Sequence, residues 1–252
     1  GLPPGPDGRC RVPSPGQPCT RAAQAGAPPY EGLFIRLGRA ARRRGLIGAR
    51  ALIIASAPPL AWRRPDPEAA VGHAPAHQPA GFPRGLRARP LRCRGPGRPL
   101  CVIVAPATAH HAPFAELLLA RAARRDARCP RAVRLAAASR GPALIRRSHA
   151  SLGAAAVIPR APKRQKNRPR RPPTWTAADL GKRSGIARSV GRVSCFFRLQ
   201  RPPGCGRTAL TPCVALTYAA TLGVALAARH AGRPDLIRSP KRGLAHLWQD
   251  AP

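Results

Sequence analysis

Bulky apolar residues are grouped in a few short runs along this chain, and stretches rich in Pro, Gly and Arg separate the runs. Residues 1–32 are dominated by Pro and Gly, which predicts a disordered arm. Between residues 33 and 57, apolar clusters alternate with three consecutive arginines and several glycines, a pattern that indicates at most a short basic helix. Residues 58–98 are again rich in Pro, Gly and Arg and are typical of a linker.

Residues 99–158 contain the stretch that most resembles a functional site. The apolar run 100–105 predicts a buried strand, and Pro113 suits the first turn of a helix. Strand, loop and helix in this order commonly frame a phosphate or nucleotide site. However, the apolar stripe that begins at Phe114 continues as a row of arginines after two turns. The pair His110 and His111 has no nearby carboxylate to orient either ring, so we expect only a weak strand–loop–helix region without an active site.

The rest of the chain, from residue 159 onward, is divided into a basic, an apolar and again a basic segment. Residues 159–207 predict a basic, mostly disordered tract, and residues 208–230 predict an apolar helix. Within that helix, residues 208–228 form a run of 21 residues without a charge, which is long enough to span a bilayer. Because Thr, Pro and Gly dilute its hydrophobicity, a helix buried inside the protein is the alternative. Residues 231–252 form a basic tail.

Composition weighs against a large core. Leu, Ile, Val and Phe together make 48 of the 252 residues, and the 49 alanines bury little area each. A chain with less than about 20% of these four residues and a high net charge is expected to remain disordered. The fold class that we predict is therefore a mostly disordered or irregular, low-complexity chain with a few short α-helices and no defined globular fold.

The charge is strongly one-sided, with 45 basic against 9 acidic residues and a formal net charge of +36. Such a chain repels itself and attracts anions. The partners that this charge predicts are nucleic acid or an anionic membrane, bound without specificity, and no small-molecule ligand is inferred.

The type of basic residue is also uneven, with 41 Arg and only 4 Lys, and Met is absent. Gly, Ala, Arg and Pro, which have GC-rich codons, make 147 of the 252 residues. This favours the hypothesis that the sequence is a fragment or a spurious translation of GC-rich DNA, with no specific biochemical function. The cellular compartment stays open.

The densest basic segment, RAPKRQKNRPRR at positions 160–171, is the candidate phosphate-binding site. Its basic residues are Arg160, Lys163, Arg164, Lys166, Arg168, Arg170 and Arg171. Chance clustering in so basic a chain is the alternative.

The sequence contains no motif that indicates a disulfide framework, a metal site, a nucleotide site or a catalytic nucleophile. The eight cysteines include no C-x₂-C pair, and no zinc-ligand spacing, nucleotide loop or nucleophile motif is present. We therefore expect no catalytic residues, no metal site and no cofactor, and we expect that the protein is not an enzyme. Two functional alternatives remain: an Arg-rich protein that binds RNA or other nucleic acid non-specifically, and a small membrane-associated protein anchored by residues 208–228.

Overall fold

The computed structural model places seven strands and five α-helices in the part of the chain that it describes. The described residues are 24–48, 51–54, 60–61, 67–71, 84–93, 97–125, 130–135, 142–158, 191, 196–197, 199 and 206–249. The helices are α1 (Pro28–Arg43), α2 (His111–Arg125), α3 (Pro142–Leu152), α4 (Gly206–His230) and α5 (Pro240–Gln249), with a 3₁₀ turn at Leu236–Arg238 before α5. The strands are β1 (Ala51–Ile54), β2 (Leu60–Ala61), β3 (Ala70–Val71), β4 (Arg84–Cys93), β5 (Pro99–Pro106), β6 (Ala132–Arg134) and β7 (Ala155–Val157).

The long strand β4 is the centre of the sheet, because four of the six strand pairings involve it. A fifth pairing joins its neighbour β1 to β6, and the sixth joins β6 to β7. Strand β5 runs antiparallel along one edge of β4, from Leu86 opposite Pro106 to Arg92 opposite Pro99. Strands β1 and β2 share the other edge of β4, since each pairs with β4 residues that also pair with β5. Gly85 pairs with both β2 and β3, so β3 lies on the same edge as β5.

The strands β1, β6 and β7, on the side of the sheet away from β5, are parallel to one another. Strand β6 pairs with β1 and β7 pairs with β6, both in parallel register. Parallel neighbours need a crossover connection, and α3 provides it between β6 and β7. The sheet is therefore mixed, with its antiparallel strands on one side of β1 and its parallel strands on the other.

One face of the sheet packs against α1 and α4. Phe34 of α1 contacts Tyr218 of α4 with ring centroids 6.3 Å apart, and both side chains are buried with Ile53 and Leu86 of the sheet. In α4, alanines such as Ala219 lie between larger residues such as Leu222, which lets the helix approach its neighbours closely.

The opposite face packs against α2 and α3. Leu52 and Leu91 of the sheet, Leu118 of α2 and Leu144 of α3 belong to this second core. Strand β1 contributes to both cores because Leu52 and Ile53 are successive residues on opposite faces of a strand. The architecture is a three-layer arrangement of helices, sheet and helices.

The expected fold class, a mostly disordered or irregular chain with a few short helices, is wrong for the described residues. The description of these residues as disordered and low in complexity is wrong for the same reason. Apolar residues are few on average but are placed at the positions that face the two cores, and alternate in the strands. The segment RGLRARPLRC, which lies inside the stretch 58–98 interpreted as a linker, forms β4.

Candidate phosphate-binding sites

The basic tract predicted from sequence as a phosphate site lies outside the described residues. This applies to Arg160, Lys163, Arg164, Lys166, Arg168, Arg170 and Arg171. Their role in phosphate binding therefore stays a prediction. Two other groups of arginines are placed by the structure in arrangements suited to anions.

The first group is a pair of arginines on β4, Arg87 and Arg89, which we call the β4 arginine pair. Residues two apart on a strand point to the same face, and Leu86 and Ala88, which alternate with the two arginines, face the α1–α4 core. Arg87 and Arg89 consequently face α2. The guanidinium of Arg89 lies 4.6 Å from the ring centroid of Phe114, in the first turn of α2.

Arg89 is almost completely buried, with 1% of its surface exposed. Its Nη2 group donates a hydrogen bond to the carbonyl of Ala109, in the turn between β5 and α2. Within the part of the chain that the structure describes, its Nε and Nη1 atoms are buried and have no hydrogen-bond partner. Burial, and then the neighbouring charge of Arg87, lower the pKa of Arg89 to about 10. The protein thus holds a guanidinium where its charge is unfavourable.

The start of α2 adds further polar groups beside this pair. Arg87 Nη1 lies 3.3 Å from His111 Nε2, so the imidazole accepts the hydrogen bond in its neutral form. Burial lowers the pKa of His111 to about 4, and the charges of Arg89, Arg87 and His110 act in the same direction. The His110 ring caps the helix, since its Nδ1 accepts a hydrogen bond from the Ala112 amide at 3.3 Å. No acidic residue lies in the first turn of α2.

The second group is a row of exposed arginines on α1, Arg36, Arg39 and Arg43, which we call the α1 row. Their spacing of three and four residues places them on one face of the helix, opposite the buried Phe34 and Ala41. The described ion pairs Arg207–Glu68 and Arg233–Asp235 do not involve the α1 row. The row is therefore available to an external anion.

Two more buried arginines have internal partners and are structural. Arg92 donates hydrogen bonds to the Tyr218 hydroxyl and the Gly97 carbonyl, each at 3.1 Å, and lies 5.1 Å from the Tyr218 ring centroid. Arg98 donates to the Ile237 carbonyl. These contacts tie the β4–β5 connection to α4 and to the 3₁₀ turn.

The structure offers little to metal chemistry or nucleophilic catalysis in the described residues. No three His, Cys, Asp or Glu side chains lie together there in a metal-binding group. Cys93, Cys101 and Cys213 are buried, and burial raises the pKa of the Cys93 thiol. The expectation that the protein is not an enzyme stays a prediction.

Sequence reasoning missed both arginine groups. The β4 pair was signalled by the alternation of Leu86, Arg87, Ala88 and Arg89, but Pro90 and the many arginines favoured a linker. Comparison with protein-family models, with curated proteins and with solved structures gave no significant match.

Proposed function

We propose that the protein binds nucleic acid without base specificity, through contacts between exposed arginines and backbone phosphates. The observation that carries the proposal is the α1 row, because α1 buries its apolar face against α4 and turns three exposed arginines outward. Guanidinium groups bind phosphate oxygens in a planar, directed geometry that suits this role.

The dimensions of the row match a nucleic-acid backbone. Arg36 and Arg43 are seven positions apart, which at 1.5 Å per residue is about 10 Å along the helix. Duplex DNA carries about one charge per 1.7 Å of its axis when both strands are counted, so this length of duplex carries on the order of six phosphates. Three arginines can each find a phosphate without any base contact, which supports binding that is insensitive to sequence.

The test is a salt series of binding measurements on short RNA and DNA duplexes, followed by fluorescence anisotropy. Each phosphate contact contributes about 0.9 to the slope of log K against log [salt]. Replacing Arg36, Arg39 and Arg43 together by Gln should therefore flatten the slope by about 2 to 3 units. Sequence changes in the nucleic acid should leave the affinity of the unaltered protein within a few-fold.

The matched control replaces three exposed arginines on other helices, Arg124, Arg146 and Arg229, by Gln. It removes the same charge but should change the slope by less than about one unit. Equal flattening in both variants would show that only the overall charge matters and would defeat the assignment to α1. Binding to anionic vesicles but not to RNA or DNA would identify the partner as a membrane instead. Deletion of residues 160–171 measures separately what the basic tract contributes.

A further inference from the structure

The structure indicates a second candidate anion site at the start of α2, where it packs on strand β4. The carbonyl of Ala109 and the ring of Phe114 hold the guanidinium of Arg89 at this end of the helix. Helix N-termini carry a partial positive charge, and they are common places for phosphate to bind. Here the helix end lies beside two arginines and has no acid in its first turn.

The independent observation is the incomplete hydrogen bonding of Arg89. Buried charged groups in proteins are normally paired, since removing a charge from water is costly. Arg89 is 1% exposed, yet in the described part of the chain its Nε and Nη1 donors have no partner. Two donors and a positive charge are thus directed at no acceptor, which is the arrangement that an oxyanion completes.

We propose that the start of α2 is a binding site for a phosphate group of a small molecule or for free phosphate, with Arg89 and Arg87 as its ligands. A tetrahedral oxyanion offers acceptors in several directions, and the Arg89 guanidinium lies beside the start of α2, against Ala109 and Phe114. The start of α2 and the α1 row lie on opposite faces of the sheet, because α1 packs into one core and α2 into the other. The site is therefore separate from the α1 row and does not depend on it.

The experiment is thermal unfolding with increasing sodium phosphate, compared with sodium chloride at the same ionic strength. Phosphate should raise Tm further than chloride does, and the difference should saturate, because a bound ligand stabilises the folded state by mass action. Equal shifts with both salts at every concentration would overturn the proposal, since they indicate screening alone.

The variants are Arg89→Met and Arg87→Met, with exposed Arg146→Met as the matched control. Arg89→Met should remove the phosphate-specific part of the Tm shift, and Arg87→Met should weaken the apparent phosphate affinity at least about tenfold. The control should keep both the shift and the affinity of the unaltered protein. If Arg89→Met does not fold, Arg87→Met and broadening of the ³¹P NMR signal by the unaltered protein decide the question. An apparent phosphate affinity that is unchanged in Arg87→Met, or no broadening at all, defeats the site.

A competition arm separates this site from the proposed nucleic-acid surface. The phosphate-specific shift should be the same in the α1 variant that lacks Arg36, Arg39 and Arg43 as in the unaltered protein. If that variant loses it, the phosphate binds on α1 and the α2 site is wrong, whereas the nucleic-acid proposal still stands.

Discussion

Buried arginine is the characteristic side chain of this interior. Arg89, Arg92, Arg98 and Arg134 are each less than a tenth exposed. A guanidinium is more weakly hydrated than an ammonium group and offers flat faces that pack on aromatic rings, as Arg89 does on Phe114 and Arg92 on Tyr218. A chain with 41 Arg and 4 Lys can therefore bury basic groups that lysine could not replace.

Residue-scale packing at the start of α2 predicts a pH dependence of stability. The pKa of His111 is lowered to about 4 in the folded protein by burial and by Arg89, Arg87 and His110. In the unfolded chain the usual pKa is about 6.5, so the unfolded state takes up the proton first as the pH falls. Stability is fully present above about pH 7 and is lost progressively as the pH falls toward 4.

The expected loss between pH 7.5 and pH 5.5 is about 1 kcal/mol, a window in which carboxylates do not yet titrate. Urea unfolding at the two pH values measures it. The variant His111→Gln keeps a neutral acceptor for Arg87 and should lose less than half as much stability over the same window. An equal loss in both proteins would mean that another group is responsible.

At the scale of elements, the packing of α5 on α4 depends on one glycine. A Cβ atom built on Gly243 would lie 2.6 Å from Cγ1 of Val224, a stiff β-branched side chain. Gly243→Ala should therefore lower the free energy of unfolding by about 1 to 3 kcal/mol, although Ala is the better helix former.

The matched control is Gly223→Ala, one residue from Val224 in α4. A Cβ atom there meets nothing within 4 Å, so the helix propensity of Ala should stabilise the protein by about 0.5 to 1 kcal/mol. Chemical denaturation of both variants gives the comparison, and the double variant Gly243→Ala with Val224→Ala should recover part of the loss. A stabilising Gly243→Ala would show that the two helices do not meet as described.

The elements differ in how far the sequence reveals them. The uncharged run 208–228 predicts a helix by length and composition, and α4 extends it by a turn or less at either end. Among the described helices, α4 alone is long and apolar enough to cross a membrane, and most of it is buried within the protein. Membrane anchoring stays a prediction that alkaline carbonate extraction tests.

Strand β4 could not be recognised from its own sequence. Its buried face carries small Ala88 beside Leu86, and its other face carries Arg87 and Arg89, which normally indicate solvent. Arg89 is buried and Arg87 is partly buried because α2 lies against them, and that is a long-range contact without a local signal. The candidate anion site at α2 was hidden for the same reason, since it depends on residues that are 20 and 24 positions apart.

For the whole molecule, the two cores compete with the repulsion of a net charge of +36. The hypothesis that the sequence is a spurious translation of GC-rich DNA stays a prediction. A long overlapping reading frame with ordinary use of Asp, Glu, Lys and Met would support it. Reproducible peptides of this chain in a cell lysate, without such a frame, would count against it.

Competition between cores and charge predicts how stability responds to salt. Raising the ionic strength from 0.01 to 0.1 M shortens the Debye length from about 30 to about 10 Å, which screens repulsion between the many exposed arginines. The ion pairs Arg207–Glu68 and Arg233–Asp235 are exposed, and such pairs contribute at most about 1 kcal/mol each, so little attraction is lost there in exchange. Salt should therefore stabilise this protein.

Urea unfolding followed by circular dichroism at both ionic strengths measures the effect, because urea, unlike guanidinium, adds no charge. We expect one cooperative transition whose midpoint rises with salt while its slope stays constant, since the surface exposed on unfolding is unchanged. An exposed-charge variant, Arg124→Gln with Arg146→Gln and Arg229→Gln, should begin at a higher midpoint and respond less to salt. A gradual loss of signal without a transition at either ionic strength would mean that the arginine repulsion prevails over the two cores and that the sheet does not form as a unit.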